Sequence, residues 1–166
     1  MATELQFIKS ASGTSVATLE VTDCFSDKYD VYYIDIPNIK YSILSVIYAR
    51  FINSSGVVST STYDYAALEM KSSAAFAEQR GTNSSVSSHL TITENTTGVG
   101  ISLMVYNPYD SSSYTFTQSQ SAGRFTNLFG YKTISVEKTA QQITGISFLG
   151  SGGTLNEIDV SVFGVK

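Results

Sequence analysis

Between Ile143 and Gly164 apolar and polar residues alternate in two runs, Ile143-Thr144-Gly145-Ile146-Ser147-Phe148-Leu149 and Leu155-Asn156-Glu157-Ile158-Asp159-Val160-Ser161-Val162-Phe163, joined by Gly150-Ser151-Gly152-Gly153. A period of two is the period of an extended chain, whose successive side chains point to opposite faces of a sheet. Ile158, Val160 and Val162 share one phase, with Asp159 and Ser161 between them, so one face is made for a core and the other for water. Two such runs around a glycine-rich connection predict a closing hairpin. Ile143 lies out of phase with Ile146 and Phe148, which predicts a β-bulge at Gly145.

The same kind of segment recurs about every 10 to 12 residues, the spacing of sandwiches and jelly rolls. Strands are expected around Leu5 and Phe7, over Thr18 to Thr22, from Tyr29 to Ile36 and from Ile43 to Ile52. Asn53-Ser54-Ser55-Gly56 then turns the chain into a strand from Val57. Further strands centre on Tyr63 to Tyr65, Leu90 to Thr93, Val99 to Tyr106, Tyr114 to Thr117 and Thr133 to Val136. Ile43 to Ile52 is apolar in both phases, which calls for a central strand covered on both sides or placed at a subunit contact. Ala66, Ala67, Leu68, Ala74, Ala75, Phe76 and Ala77 would suit a short helix, but Ser72 and Ser73 interrupt them without the spacing of a capped amphipathic face, which favours a loop and strand. The expected fold class is all-β: an antiparallel β-sandwich, jelly-roll-like, with residues 1–166 forming a single domain.

Composition narrows the partners. The chain has 166 residues, 42% of them hydrophobic and only 14% charged, which is sparse charge for a soluble monomer and suits either a surface hidden in an assembly or an ordinary extracellular-type β-sandwich. Net charge is −4, and the 10 basic residues form no run, so nucleic acid is not an expected partner. No apolar stretch reaches the ~20 residues of a spanning helix, and Met1 to Lys9 lacks a basic region followed by an apolar one, so neither a membrane nor secretion is expected. Cys24, the only cysteine, excludes an intrachain disulfide and reads as a small core residue.

Catalytic constellations are missing. His89 is the sole histidine, in Ser87-Ser88-His89-Leu90-Thr91-Ile92, with no nucleophile elbow or cysteine nearby, and is expected on a strand surface. Zinc fails on ligand inventory. Asp23, Asp27 and Asp30 either gather around a calcium ion or form a solvated acidic turn, and their spacing matches no EF-hand. Gly150 to Gly153 lacks the following helix and Lys-Ser/Thr pair of a phosphate loop. Three glycosylation-like triplets, at Asn53, Asn83 and Asn95, are what abundant Ser and Thr produce by chance. No catalytic residue, metal or cofactor is expected, and the chain reads as non-enzymatic.

One segment has the make-up of a contact loop. In Asn107-Pro108-Tyr109-Asp110-Ser111-Ser112-Ser113-Tyr114, Pro108 ends a strand and a polar loop carries two tyrosines, which combine rigid amphipathic area with small hydrogen-bonding spacers. Asn107, Pro108, Tyr109, Asp110 and Tyr114 are the candidate contact residues, with an ordinary turn as the alternative.

The aromatic run Tyr29 to Ile39, the apolar run Ile43 to Ile52, the run Ile101 to Pro108 ending in Asn-Pro and the Ile-Thr-x-Ile-x-Phe start of the final pair together resemble small β-sandwich virion structural proteins of tailed bacteriophages. The resemblance covers residues 25 to 166, with Glu157 and Phe163 standing where that family commonly has Gly and Tyr. It implies a virion location after synthesis in the host cytoplasm, and a capsid decoration or cement role. The implied partners are the chain itself, as a homotrimer, and virion proteins such as the major capsid protein. The alternative it implies is a tail-fibre or receptor-binding tip that contacts a host surface glycan.

Overall fold

The computed structural model describes residues 4–166. Among them the chain forms thirteen strands: β1 (Leu5–Gly13), β2 (Thr18–Val21), β3 (Val31–Tyr41), β4 (Ser45–Asn53), β5 (Gly56–Val57), β6 (Tyr63–Lys71), β7 (Ala74–Ser84), β8 (Ser88–Thr93), β9 (Val99–Tyr106), β10 (Thr115–Arg124), β11 (Leu128–Glu137), β12 (Gly145–Gly150) and β13 (Leu155–Val165). An eight-stranded sheet has the order β1-β13-β3-β9-β10-β11-β6-β7. A five-stranded sheet has the order β2-β12-β4-β5, with β8 also pairing β4. Every pairing is antiparallel, and the two sheets pack face to face as a β-sandwich.

The alternation read from the sequence sets the inward faces. Ile158, Val160 and Val162 of β13 are buried, as are Tyr32, Ile34 and Ile36 of β3 and Ile101, Leu103 and Val105 of β9. Opposite them stand Ile47 and Phe51 of β4 and Ile146 and Phe148 of β12, all fully buried. Branched and aromatic side chains fit a pleated, half-covered surface, and here they supply the apolar half of the core.

The closing hairpin is corrected. Both strands form, but β12 pairs with β2 and β4 while β13 pairs with β1 and β3. Ser151 to Thr154 therefore carries the chain from one sheet to the other, with Gly153 at φ +80° in the bend. The predicted bulge at Gly145 is also absent: Gly145 to Gly150 run in step with Ile52 to Ile47. Ile143 lies before the strand, and Gly145 has a different reason to be glycine. A Cβ there would meet the Val21 carbonyl oxygen at 2.5 Å, a backbone atom that cannot step aside.

Two other boundaries move. β4 begins at Ser45, leaving Ile43 and Leu44 exposed in the turn that precedes it. Ser45, Ile47, Ala49 and Phe51 are its buried phase, and Val46, Tyr48 and Arg50 on the other face are half-buried. β3 runs on through Pro37 to Tyr41. Proline donates nothing to a ladder, and β3 accommodates it where registers shift on both sides, between Ile36 and Ile39 toward β9 and between Asp35 and Ile39 toward β13. Side chains bridge the gap: Asn38 Nδ2 donates to Glu157 Oε1 at 2.8 Å, and Lys40 Nζ donates to Glu157 Oε2 at 2.7 Å.

The Ala-rich segment is a hairpin, β6 and β7, with Ser72 and Ser73 between the strands. β6 buries Tyr63, Ala67 and Glu69 against the interior, whereas β7, at the sheet edge, is exposed over nearly its whole length.

Candidate functional site

Strand β10 and the second half of β11 reverse the usual polarity of a sandwich strand. The inward phase is Thr115, Thr117, Ser119 and Ser121 on β10, and Phe129, Tyr131, Thr133, Ser135 and Glu137 on β11, all buried. Their outward phase includes Phe116, 45% exposed, and Ile134, 61% exposed. An exposed leucine is ordinary; apolar groups outside combined with hydroxyls inside the same strands are not.

Inside, Thr117 and Ser135 join Ser87 and Ser88 in a hydroxyl network across the sandwich, whereas Thr115 Oγ1 and Ser119 Oγ have no hydrogen-bond partner. Ser88 of β8 lies 3.1 Å from Thr117 and 2.9 Å from Ser135, and Ser135 is 3.2 Å from Ser87. Thr117 and Ser135 are also bonded directly. Thr133 Oγ1 donates to the His89 carbonyl at 2.7 Å. Such a network offsets the cost of dehydrating polar groups, which an apolar lining would not incur.

Outside, the register aligns an apolar surface. Phe7, Phe163, Tyr33, Met104, Gln118, Ile134 and Ala66 are successive cross-strand neighbours over seven strands. Beside them run Val31, Tyr106, Phe116 and Val136. Tyrosine hydroxyls apart, Gln118 carries the only polar group of these side chains, and the rows end in charged residues, Arg80 opposite Ala66 and Asp64 opposite Val136. Phe163 packs edge-on to Phe7 at 5.8 Å and tilted to Tyr33 at 6.1 Å, so one end of the surface is an aromatic cluster. Between β6, β10 and β11 the surface sinks into a groove of about 480 Å³ lined by Ala66, Tyr106, Phe116 and Ile134.

The candidate contact loop divides between anchors and surface. Asn107, at φ +53°, donates from its backbone to the Asp30 carbonyl at 2.7 Å, and Pro108 is buried with its carbonyl accepting from Ile143 N at 2.7 Å. Tyr109 is half-buried. Asp110 is exposed and closes the turn, its Oδ1 accepting from Ser112 Oγ at 2.7 Å and Ser112 N at 2.8 Å. Those two bonds lower its carboxyl pKa below the ordinary carboxylate value. Tyr114 is 48% exposed and shares the outward phase of Phe116, so it extends the apolar face. In the sequence these five residues form one loop; the structure uses Asn107 and Pro108 as tethers, Asp110 as a turn and Tyr114 as surface, and leaves Tyr109 half-buried.

His89 is corrected from a surface residue to a buried one. It is 5% exposed, and its ring stacks on Tyr131 at 4.8 Å with Tyr48 edge-on at 5.9 Å. Its Nε2 has no hydrogen-bond partner. Burial pushes its pKa below the ordinary histidine value, while the negative charge of Glu69 works in the opposite direction. Glu69 is itself buried and pairs with Lys71 at 2.6 Å. The Tyr131 hydroxyl, beside Glu69 but without hydrogen-bond geometry, is held in its neutral form, first by burial and then by that charge. Glu69 and Tyr131, but not His89, line a cavity of about 400 Å³ together with Lys71, Leu44, Ile92, Phe125 and Leu128. The aromatic surroundings are not visible in the sequence, because Glu69, His89 and Tyr131 lie on three different strands.

Cys24 sits in the core with its thiol donating to the Val21 carbonyl at 3.3 Å, and burial pushes its pKa up to about 12. Among the described residues no three His, Cys, Asp or Glu side chains converge as a metal site, so Asp23, Asp27 and Asp30 do not come together. No protein-family model matches the chain, and no curated protein matches it.

Proposed function

We propose that this chain is a non-enzymatic structural subunit of a tailed-phage particle, of the capsid decoration or cement kind, which binds other virion proteins through the outer face of its eight-stranded sheet. The observation that carries the binding role is the reversed polarity of β10 and the second half of β11. A chain that spends buried positions on Thr and Ser while leaving Phe116 and Ile134 in water is built to cover those side chains with a partner. The virion context comes from the resemblance of residues 25 to 166 to phage structural sandwiches.

The test is Ile134→Asp, alone and with Phe116→Ser. Both side chains are largely exposed, so the variants should keep the wild-type circular dichroism spectrum and melting temperature to within a few degrees. Incorporation into particles, measured as copy number per virion, should fall sharply because a charge is buried unpaired at the contact. Normal copy number in both variants would remove this face from the assembly.

A second reading, a receptor-binding tip that contacts a host glycan, is favoured by one observation. Asp110 and Tyr114 are exposed on a loop pinned at Asn107 and Pro108, the form of a small presented contact.

A further inference from the structure

We propose that a second copy of this chain pairs with the free edge of β7, antiparallel across a two-fold axis at Gln79, joining the two eight-stranded sheets into one. This rests on the reading of the chain as an assembling subunit and names the partner and register at one edge.

β7 is the outer strand of the sheet, bonded on one side to β6 and on the other to nothing among the described residues. It is 11 residues long, and every residue from Ala74 to Arg80 is exposed. Natural sheets blunt such edges with lysine, proline, short strands or bulges, because unpaired N–H and C=O groups template another strand. The opposite edge, β1, shows this protection: its register breaks between Phe7 and Lys9, and Lys9 folds over to donate to the Thr22 carbonyl at 2.6 Å. β7 has no lysine or proline. Its register shifts lie toward its two ends, and the central stretch Ala77 to Gly81 pairs regularly with β6.

Charge fixes the register. Glu78 and Arg80 are the only charged residues of β7, two apart on one face and 3.9 Å from each other. A two-fold axis at Gln79 sets Glu78 of each copy opposite Arg80 of the other, giving two cross-strand pairs of opposite sign. An axis at Glu78 or at Arg80 would set like charges face to face. Gln79 is also the midpoint of Ala74–Ser84, so this register alone pairs the whole strand. It places Ala77 opposite Gly81 and Phe76, 67% exposed in the single chain, opposite Thr82. The pairing is isologous, as closed two-fold contacts require.

Four variants test it, the charge exchanges by sedimentation equilibrium at micromolar concentration. Glu78→Arg and Arg80→Glu should each weaken pairing about tenfold, since each turns two attractive pairs into repulsive ones. The double exchange should restore it. Gln79→Cys should give a covalent pair of chains on mild oxidation, because the native thiol at Cys24 is buried. Association that Glu78→Arg and Arg80→Glu both leave at wild-type strength, or a three-chain particle in which the Gln79→Cys variant forms no disulfide-linked pair, overturns the two-fold pairing. If Ile134→Asp dissociates that same particle, the outer-face reading still stands. A wild-type chain that stays monomeric overturns the β7 pairing, and particle incorporation then decides the outer-face reading separately.

Discussion

Phe116 and Thr117 are neighbours in β10 that face opposite ways, the phenyl ring into solvent and the hydroxyl into contact with Ser88 and Ser135 of the sandwich interior. In an ordinary sandwich strand these roles are exchanged. Thr117→Val should therefore destabilise the protein by about 1–3 kcal/mol, since the Ser88 and Ser135 hydroxyls lose a buried partner although apolar volume is kept. Phe116→Ser should change the stability of the single chain by less than about 0.5 kcal/mol. Urea denaturation decides the order; a larger loss at Phe116 would mean that the strand faces the other way.

His89 links stability to pH. Burial holds its pKa below the ordinary value of 6.5, against the opposing charge of Glu69, so the folded chain resists a proton that the unfolded chain accepts. Its contribution is complete above the unfolded value and is lost as pH falls from there toward the folded value. His89→Phe keeps a ring against Tyr131 and has nothing to protonate. The wild type should lose stability relative to this variant between neutral pH and about pH 5. Carboxylates present in both proteins cancel in the comparison, so parallel stability curves would show that His89 is not held neutral by the fold.

Val160 and Ser161 test the phase of the last strand. Val160 is buried against the core, while Ser161 is half-buried on the outer side. Val160→Asp places an unpaired charge in the apolar half of the sandwich and should cost several kcal/mol, leaving insoluble protein. Ser161→Asp should yield soluble, folded protein. Equal yields of soluble protein from the two variants would contradict the observed facing of β13.

The loop from Asn107 to Tyr114 separates the two functional readings. Tyr109→Ala with Asp110→Ala leaves the tethers at Asn107 and Pro108 in place, so particles should assemble and adsorb to host cells as the wild type does. For a receptor tip, the loss of a tyrosine anchor and its polar neighbour would cost about 2 kcal/mol or more per site, near thirtyfold in affinity. A sharp drop in adsorption at normal copy number would favour the glycan-binding tip.

Much of the fold is legible in residue order, and the parts that are not share a cause. Alternation of Ile158, Val160 and Val162 with Asp159 and Ser161 marks a strand and its buried phase without further information. The turn at Ser72 and Ser73, and the one at Asn53 to Gly56, are equally local. Which strand pairs with which is not local: an alternating run, a glycine-rich connection and a second alternating run describe a hairpin and a passage between sheets equally well, and β12 to β13 is the second. In β10, Phe116 and Thr117 show two phases, but only the position of β8 decides which faces inward. His89 reads as a surface residue for the same reason, since Tyr131 and Tyr48 reach it from strands far away in sequence. The outer apolar face is assembled by register across seven strands, and no single segment displays it.

The last strand of the chain lies between the first and the third, with Val165 opposite Leu5 and Phe163 opposite both Phe7 and Tyr33. The three-stranded end β1-β13-β3 of the large sheet therefore lacks its middle until residues 155–165 are available. The other five strands consist of neighbours in sequence, the β9-β10-β11 meander and the β6-β7 hairpin, whose loops close at small entropic cost and are expected to form first. Most of the exposed apolar surface belongs to these early strands. A newly made chain thus exposes Phe116 and Ile134 before its core is shut, so premature association is expected to compete with the insertion of β13 when folding is slow and concentration high.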